Sequence, residues 1–424
     1  MMSFQAITCS IITIGDELLI GQTLDTNSAW MARQLNQAGI WLKRRVAVGD
    51  EAGAITSALD QEKEYSDIIL LTGGLGPTSD DITKEVLSRY FSSPLVVHQK
   101  IREDLRDYFI KRGLPILDSN LRQADLPRDC QPISNEKGTA PGMWFEREGK
   151  VFVSMPGVPA EMEDMMIRVV IPRIKQRYVT PEILHRTLLT AGQGESFVAN
   201  RLEGFENQLP PQIKLAYLPS FGYLKLRLTA VSSELPDASR VLQVQGELLA
   251  RELSDILLAE QDIGIGALTG RLLVRLKATI ATAESCTGGY IAHLITQVPG
   301  SSAYFKGSVV AYHNEVKTSL LGVDPDLIAS HGAVSGETVG AMARGGRQLL
   351  GADYCLATSG ILGPEGGTPE KPVGTVWMAA CAESKLLTRK IQLRFNREQN
   401  IQAASNQALL LVLELLREAG AVKE

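Results

Sequence analysis

The chain has 424 residues, enough for two or three domains, and 44% of them are hydrophobic, as in globular proteins. Its net charge of −5 argues against broad attraction to nucleic acid or anionic membrane, and no apolar run approaches the roughly 20 residues of a membrane helix. Five scattered cysteines, never in a CxxC pair, argue against a disulfide framework or a structural zinc, and the N-terminus lacks a signal peptide's basic region, so a cytoplasmic location is expected.

Residues 6–14, AITCSIITI, form a β-rich run ended by Gly15. Thr26 or Asn27 is expected to cap a helix running to about Gln37 and closed by Gly39. WLKRRVAV (41–48) is the next strand, Asp50 the next helix cap, and SDIILLTGG (66–74) a buried strand running into glycines. This alternation predicts a doubly wound parallel sheet, which binds ligands at the carboxyl ends of its strands. The strand, Pro/Gly loop and helix of VFVSMPGVPAEMEDMM (151–166) close a first domain, 1–172.

Three stretches here carry possible chemistry: IGDELLIGQTLDTN (14–27), GGLGPTSDDIT (73–83) and MPGVPAEM (155–162). Gly73, Gly74 and Gly76 let backbone N–H groups approach an anion closely, and Thr78 and Thr83 offer hydroxyls. Asp80 and Asp81 fall where a helix should begin, one able to cap it and the other to hold a divalent metal. Each stretch alone reads equally well as a turn and a cap. Three at the strand ends of one sheet favour a site.

Residues 173–258 form a smaller α+β pattern: strand RTLLTA, helical ESFVANRLEGF, alternating YLKLRLTAV and helical ASRVLQVQGELLARELSDI. A KH domain clamps nucleic acid with a GXXG loop, and none occurs between His185 and Ile256. Lys214, Lys225 and Arg227 then belong to a solvated sheet face, and a structural or dimerisation role is expected.

The last domain, 259–424, again alternates strands and helices. In ATAESCTGG (281–289) two candidate nucleophiles, Ser285 and Cys286, stand side by side before a helix with Tyr290, Ile291, Leu294, Ile295 and Val298 on one face. Backbone N–H groups at Thr287 and Gly288 suit an oxyanion or phosphate; the competing reading is a plain N-cap by Ser285 or Thr287. GSVVAYHNEVKTSLLGV (307–323) places Tyr312 and Lys317 around a loop. No His–Asp pair offers itself as a base for serine, whereas a desolvated lysine can give up its proton. ATSGILGPEGGTPEKPVGTVWMA (357–379) ends a strand at Thr358 and resumes one at Val373. Between them runs a Gly/Pro loop, 360–374, with Gly360, Gly363, Gly366, Gly367 and Thr368; such long loops are more often functional than incidental. LRFNREQNIQ (393–402) sets Arg394 and Arg397 before a long terminal helix, facing either an anion or solvent.

These stretches resemble the CinA family from about Ile11 to Gln407, together with KGTAPGMWF (137–145), the Asn120/Gln123 pair, GQGES (192–196) and YLPSFGYLKLRLTA (217–230). The resemblance implies two α/β domains with largely parallel sheets, the first molybdopterin-binding-like, joined by a small α+β KH-like domain. For the first domain it implies hydrolysis of ADP-ribose to AMP and ribose 5-phosphate with a divalent metal at Asp81, Glu17 and Asp80. The ligand would lie against Asn27, Gly73, Gly74, Gly76, Thr78, Pro156 and Gly157. For the last domain it implies deamidation of nicotinamide mononucleotide to nicotinate mononucleotide and ammonia, without a cofactor. Ser285 would be the nucleophile, Lys317 its base, Tyr312 their neighbour and Arg397 an active-site arginine, with Thr287, Gly288 and the 360–374 loop around the substrate.

Two positions depart from the family pattern: Gln402 stands where an arginine is frequent, and Leu362 where a small residue is usual. A homodimer is expected, without membrane or nucleic-acid partners. The alternative class is a non-enzymatic adaptor in competence or DNA damage that binds a nucleotide or pterin.

Overall fold

The structure is a computed structural model that describes residues 7–420. The chain divides into two compact units. One runs to Leu184 and includes Val231–Ala238; the other comprises His185–Ala230 and the chain from Ser239 onward.

The first unit is built on a six-stranded sheet. Its strands are β1 (Thr8–Ile14), β2 (Trp41–Val48) and β3 (Ile68–Thr72), followed after a small ribbon of β4 (Leu95–Val97) and β5 (Asp125–Pro127) by β6 (Gln131–Ile133), β7 (Gly142–Arg147) and β8 (Lys150–Met155). The order is β2-β1-β3-β8-β7-β6, parallel through β2, β1, β3 and β8 and antiparallel beyond. Ile11, Ile12, Ile68, Ile69, Leu70 and Leu71 are fully buried because helices cover both faces, which is why these strands read as continuous apolar runs. Each such side chain contributes about 1.5–3 kcal/mol of transfer free energy. The helix Thr26–Gln37 is capped by Asp25, whose carboxylate accepts from Ser28 N–H at 2.9 Å, one residue before the expected Thr26 or Asn27.

The second unit contains two sheets. The segment expected as a middle domain supplies β9 (Ile183–Ala191), β10 (Lys214–Ser220), β11 (Tyr223–Val231) and β12 (Leu257–Ala259), in the order β10-β11-β9-β12. Its buried Leu189, Leu258 and Ala259 belong to the same apolar cluster as Ile280 and Leu409 of the C-terminal part. The five-stranded sheet consists of β13 (Ile280–Glu284), β14 (Phe305–Val310), β15 (Tyr354–Gly360), β16 (Thr375–Cys381) and β17 (Leu386–Gln392), in the order β14-β13-β15-β16-β17. β14, β13 and β15 are parallel; β16 and β17 return antiparallel. The strands on either side of the Gly/Pro loop thus end at Gly360 and resume at Thr375, both two residues beyond the expected positions.

Both large sheets share one local topology, second strand–first strand–third strand. It places the ends of β1 and β3, and of β13 and β15, at a point where successive connections leave in opposite directions. Among the described residues, no helix is long and apolar enough to cross a membrane.

Candidate active sites at two strand switch points

The C-terminal constellation begins at the end of β13. Glu284, the last residue of the strand, is wholly buried, and its carboxylate accepts five hydrogen bonds. The donors are Thr287 Oγ1 at 2.7 Å, Thr282 Oγ1 at 3.2 Å and the backbone N–H groups of Gly289 (3.0 Å), Ile291 (3.0 Å) and Ala292 (2.8 Å). Those N–H groups open the helix Tyr290–Thr296, so Glu284 satisfies the donors that a cap would otherwise take. Neither Ser285 nor Thr287 is its N-cap, because the helix starts five residues after Ser285 and the intervening residues form a turn. Gly288 and Gly289 hold φ of +61° and +96° there, values a side chain would resist.

Ser285 is fixed by its backbone, its N–H donating to Thr358 O at 3.0 Å, while its Oγ makes no hydrogen bond among the described residues. Gly288 N–H, expected to receive an oxyanion, instead donates to Ser285 O at 3.1 Å. Thr287 N–H finds no acceptor among the described residues. Cys286 turns into the apolar cluster with Ile291 and Leu362, and burial pushes its thiol up to about 12. A thiol so raised stays protonated near neutrality and is a poor nucleophile.

Lys317 lies on the short helix Asn314–Ser319 and is only 1% exposed, an unusual state for an ammonium group. Nζ donates to Tyr312 O at 3.1 Å. Desolvation lowers its pKa below the ordinary lysine value, against a smaller opposing effect of the nearby Cys286. A buried lysine so shifted is prepared to accept a proton. No hydrogen bond joins Nζ to Ser285 Oγ.

Arg397, first residue of the helix Arg397–Glu418, ties the remaining parts together. It donates to Gly363 O at 2.5 Å and to the Tyr312 hydroxyl at 3.0 Å. One turn on, Asn400 is buried and donates to Leu362 O at 3.1 Å and Phe395 O at 2.9 Å, pinning the Gly/Pro loop and the approach to the helix. Farther along that loop, Thr368 Oγ1 accepts from Lys371 N–H and Lys371 Nζ donates to His331 O, so this part is braced from outside. Lys317, Tyr312, Arg397 and Gly363 are thus linked by hydrogen bonds, and Ala311 N–H, donating to Glu284 O at 2.7 Å, sets this group beside the strand end that Ser285 follows. Gly360 faces Val376 across the paired strands, and Gly366 and Gly367 lie farther along the loop.

The N-terminal residues gather at the ends of β1, β3 and β8. Asn27 donates to Gly157 O at 2.7 Å and Thr72 Oγ1 at 3.3 Å, and Thr72 donates to Pro156 O at 2.8 Å. A cavity of about 140 Å³ lies beside Glu17, Asn27, Thr72 and Gly157. Asn27 Oδ1 is buried without a hydrogen-bond partner. Gly73 passes so close to Ile14 O that a Cβ would stand 2.1 Å from it, and its φ is +114°.

Neither Asp80 nor Asp81 caps the helix Thr83–Tyr90, whose N-cap is Ile82. Asp81 instead closes a turn by accepting from Thr78 N–H at 3.0 Å and from the Thr78 hydroxyl. Asp16 and Asp50 exchange backbone-to-carboxylate bonds at 3.0 and 3.2 Å. Asp50 titrates above the ordinary carboxylate range, chiefly through desolvation, with Asp16, Glu17 and Asp80 adding repulsion and the Asp16 backbone opposing.

Among the described residues, no three His, Cys, Asp or Glu side chains converge as a preformed metal cage. The hard oxygen donors within reach of solvent here are the exposed Glu17 and Asp80, the latter also near Thr78, and the second oxygen of Asp81. Such a set fits a magnesium-like ion shared with substrate phosphates, which needs few protein ligands.

Sequence reasoning missed Glu284 and Asn400. The signal for Glu284 was a lone carboxylate ending an otherwise uncharged buried strand; a charge there demands a partner. Asn400 left no such signal, since its partners are carbonyls of residues remote in sequence.

Two family profiles match the chain: "Probable molybdopterin binding domain" over residues 10–176 and "CinA C-terminal domain" over 264–416. A CinA-like protein of Cytophaga hutchinsonii is 44% identical over 97% of this chain and 99% of its own length. A putative competence-damage inducible protein of Moorella thermoacetica is 40% identical over 95% of this chain and 97% of its own. The crystal structure of the protein CinA from Thermoplasma acidophilum, 34% identical, covers 41% of this chain and 98% of that one at a TM-score of 0.36.

Proposed function

The chain belongs to the CinA family, and from that premise we propose that its C-terminal site is a serine amidohydrolase that converts nicotinamide mononucleotide to nicotinate mononucleotide and ammonia. The observation that carries this reading is Lys317, a buried lysine with a lowered pKa, bonded to Tyr312 O next to Ala311, whose N–H donates to Glu284 O at the strand end that Ser285 follows. In its neutral form, which burial favours, Lys317 takes the Ser285 proton as Oγ attacks the carboxamide carbon. The carbonyl oxygen becomes an oxyanion received by Thr287 N–H, the donor left open at the turn. Lys317 returns the proton to the departing nitrogen, and ammonia leaves an acyl-serine. Water, deprotonated by Lys317, cleaves that ester and restores Ser285. Arg397 has five N–H donors and spends two on Gly363 and Tyr312, leaving the rest for the substrate phosphate.

The experiment is ammonia release from nicotinamide mononucleotide by wild type, Ser285→Ala and Cys286→Ala. Loss in the first variant and retention in the second support the assignment; the reverse pattern sinks it.

For the N-terminal site the same family supports hydrolysis of ADP-ribose to AMP and ribose 5-phosphate. A divalent ion held by Glu17, Asp80 and Asp81 would neutralise diphosphate charge and activate water. Asn27, Thr72 and the glycines at 73, 74 and 157 shape the binding surface. AMP production with magnesium or manganese tests it. The unpartnered Asn27 Oδ1 beside the cavity also suits a second reading, a nucleotide- or pterin-binding adaptor, which binding of ADP-ribose without cleavage would support.

A further inference from the structure

A cleft of about 570 Å³ opens in the second unit where the hairpin of β10 and β11 meets the helices Tyr290–Thr296 and Arg397–Glu418. Its volume falls within the range of small-molecule sites. Three half-buried aromatic rings, Phe221, Tyr223 and Tyr290, form much of its wall.

The hairpin is held there by specific contacts. Asn406 Nδ2 donates to Phe221 O at 2.9 Å, and the Phe221 ring meets Phe395 edge-on at 5.0 Å. The turn is Phe221–Gly222, with Gly222 at φ +91° and so close to Gln407 that a Cβ would stand 2.9 Å from Nε2. The positive φ is what calls for a glycine, since the Gln407 amide could swing aside. The aromatic wall is thereby positioned before any ligand arrives.

No side chain lining the cleft carries a charge. The Gln402 amide makes no hydrogen bond among the described residues, and Asn406 has its Oδ1 open after its amide is spent on Phe221. Rings on the walls with amide donors and acceptors at the edge are what a flat, uncharged heterocycle requires: stacking on its faces and hydrogen bonds along its rim. A phosphate would find no counter-charge inside. We propose that this cleft is a nucleobase site, built jointly by the hairpin and the C-terminal helices, that takes the base of an adenine nucleoside. Gln402 lies five residues after Arg397 on one helix, about 7.5 Å along its axis, so the site is a neighbour of the constellation around Ser285.

The inference does not rest on the amidase chemistry, and Ser285→Ala is expected to bind adenosine as the wild type does. The test is calorimetric titration of the full chain with adenosine. Expected is saturable binding with a component that the cleft variants below weaken, itself weaker for cytidine because its ring offers less stacking area. Tyr223→Leu keeps apolar bulk but removes the ring, and should weaken binding about tenfold. Gln402→Ala, a substitution on a partly exposed helix face, should weaken it about threefold to tenfold and keeps the test open if Tyr223→Leu does not fold. Failure to saturate, wild-type affinity in both variants, or phenol binding as tightly as adenosine would overturn the proposal. So would competition by nicotinamide mononucleotide, which would place the cleft inside the proposed catalytic pocket.

Discussion

The two large sheets place their candidate sites at the same topological position and treat ionisable groups there in opposite ways. At the ends of β1 and β3 the carboxylates of Glu17 and Asp80 remain in water, and Asp81 closes a turn. At the ends of β13 and β15 both Glu284 and Lys317 are buried, one saturated by five donors and the other nearly unpartnered. The fold supplies the position, and burial selects the chemistry. Solvated acids suit an ion brought in with a phosphate, whereas a desolvated lysine suits proton transfer without a metal.

Substitutions that separate the two regions can break this contrast. The largest effect is expected from Ser285→Ala, which should lower turnover of nicotinamide mononucleotide by roughly a thousandfold or more while leaving the melting temperature nearly unchanged; steady-state kinetics and calorimetry check both. Glu284→Ala should follow, at about 3 kcal/mol of stability or more in denaturant unfolding, because three backbone N–H groups lose their acceptor inside the protein. Glu284→Gln, which keeps the shape and one acceptor oxygen, should recover a large part of that loss. Arg397→Ala should raise KM more than it lowers kcat, since the loop loses its tie to Gly363 and the phosphate its partner. Smallest is Asp81→Asn, within about 1 kcal/mol for an exposed turn, with any loss of ADP-ribose cleavage exceeding the loss of stability. If Asp81→Asn destabilised as much as Glu284→Ala, the contrast in burial would be wrong.

Much of this architecture was legible in the sequence. Buried parallel strands announce themselves as β-branched runs, and Gly15, Gly73 and Gly288 mark where each strand ends in a turn. The proposal that Ser285 works with Lys317 drew its residues from the family resemblance, because the stretch between them forms a separate strand and helices. Glu284 escaped notice because its main partners are backbone N–H groups five to eight residues ahead, which no side-chain pattern marks. The expected cap by one of Asp80 and Asp81 is not formed, because the helix begins at Thr83 and Thr78 captures Asp81 first. β15 runs two residues past Thr358 because Ser359 and Gly360 pair with Trp377 and Val376, a tertiary effect that outweighs the local Gly signal.

Lys317 carries the central claim, and pH is its direct probe. Its folded-state value lies below that of an unfolded lysine, so protonation is disfavoured in the native state. Stability therefore rises with pH from the lowered folded value up to about 10.4, and Lys317→Met should lack that rise. The decisive measurement is kcat/KM for ammonia release from nicotinamide mononucleotide across pH, in wild type and Lys317→Met. The expected result is an acid limb in the wild type, with its midpoint below the ordinary lysine value and matching the pH range of the stability change, and near-complete loss of activity in the variant. A variant that retains wild-type activity and the same acid limb would contradict the account.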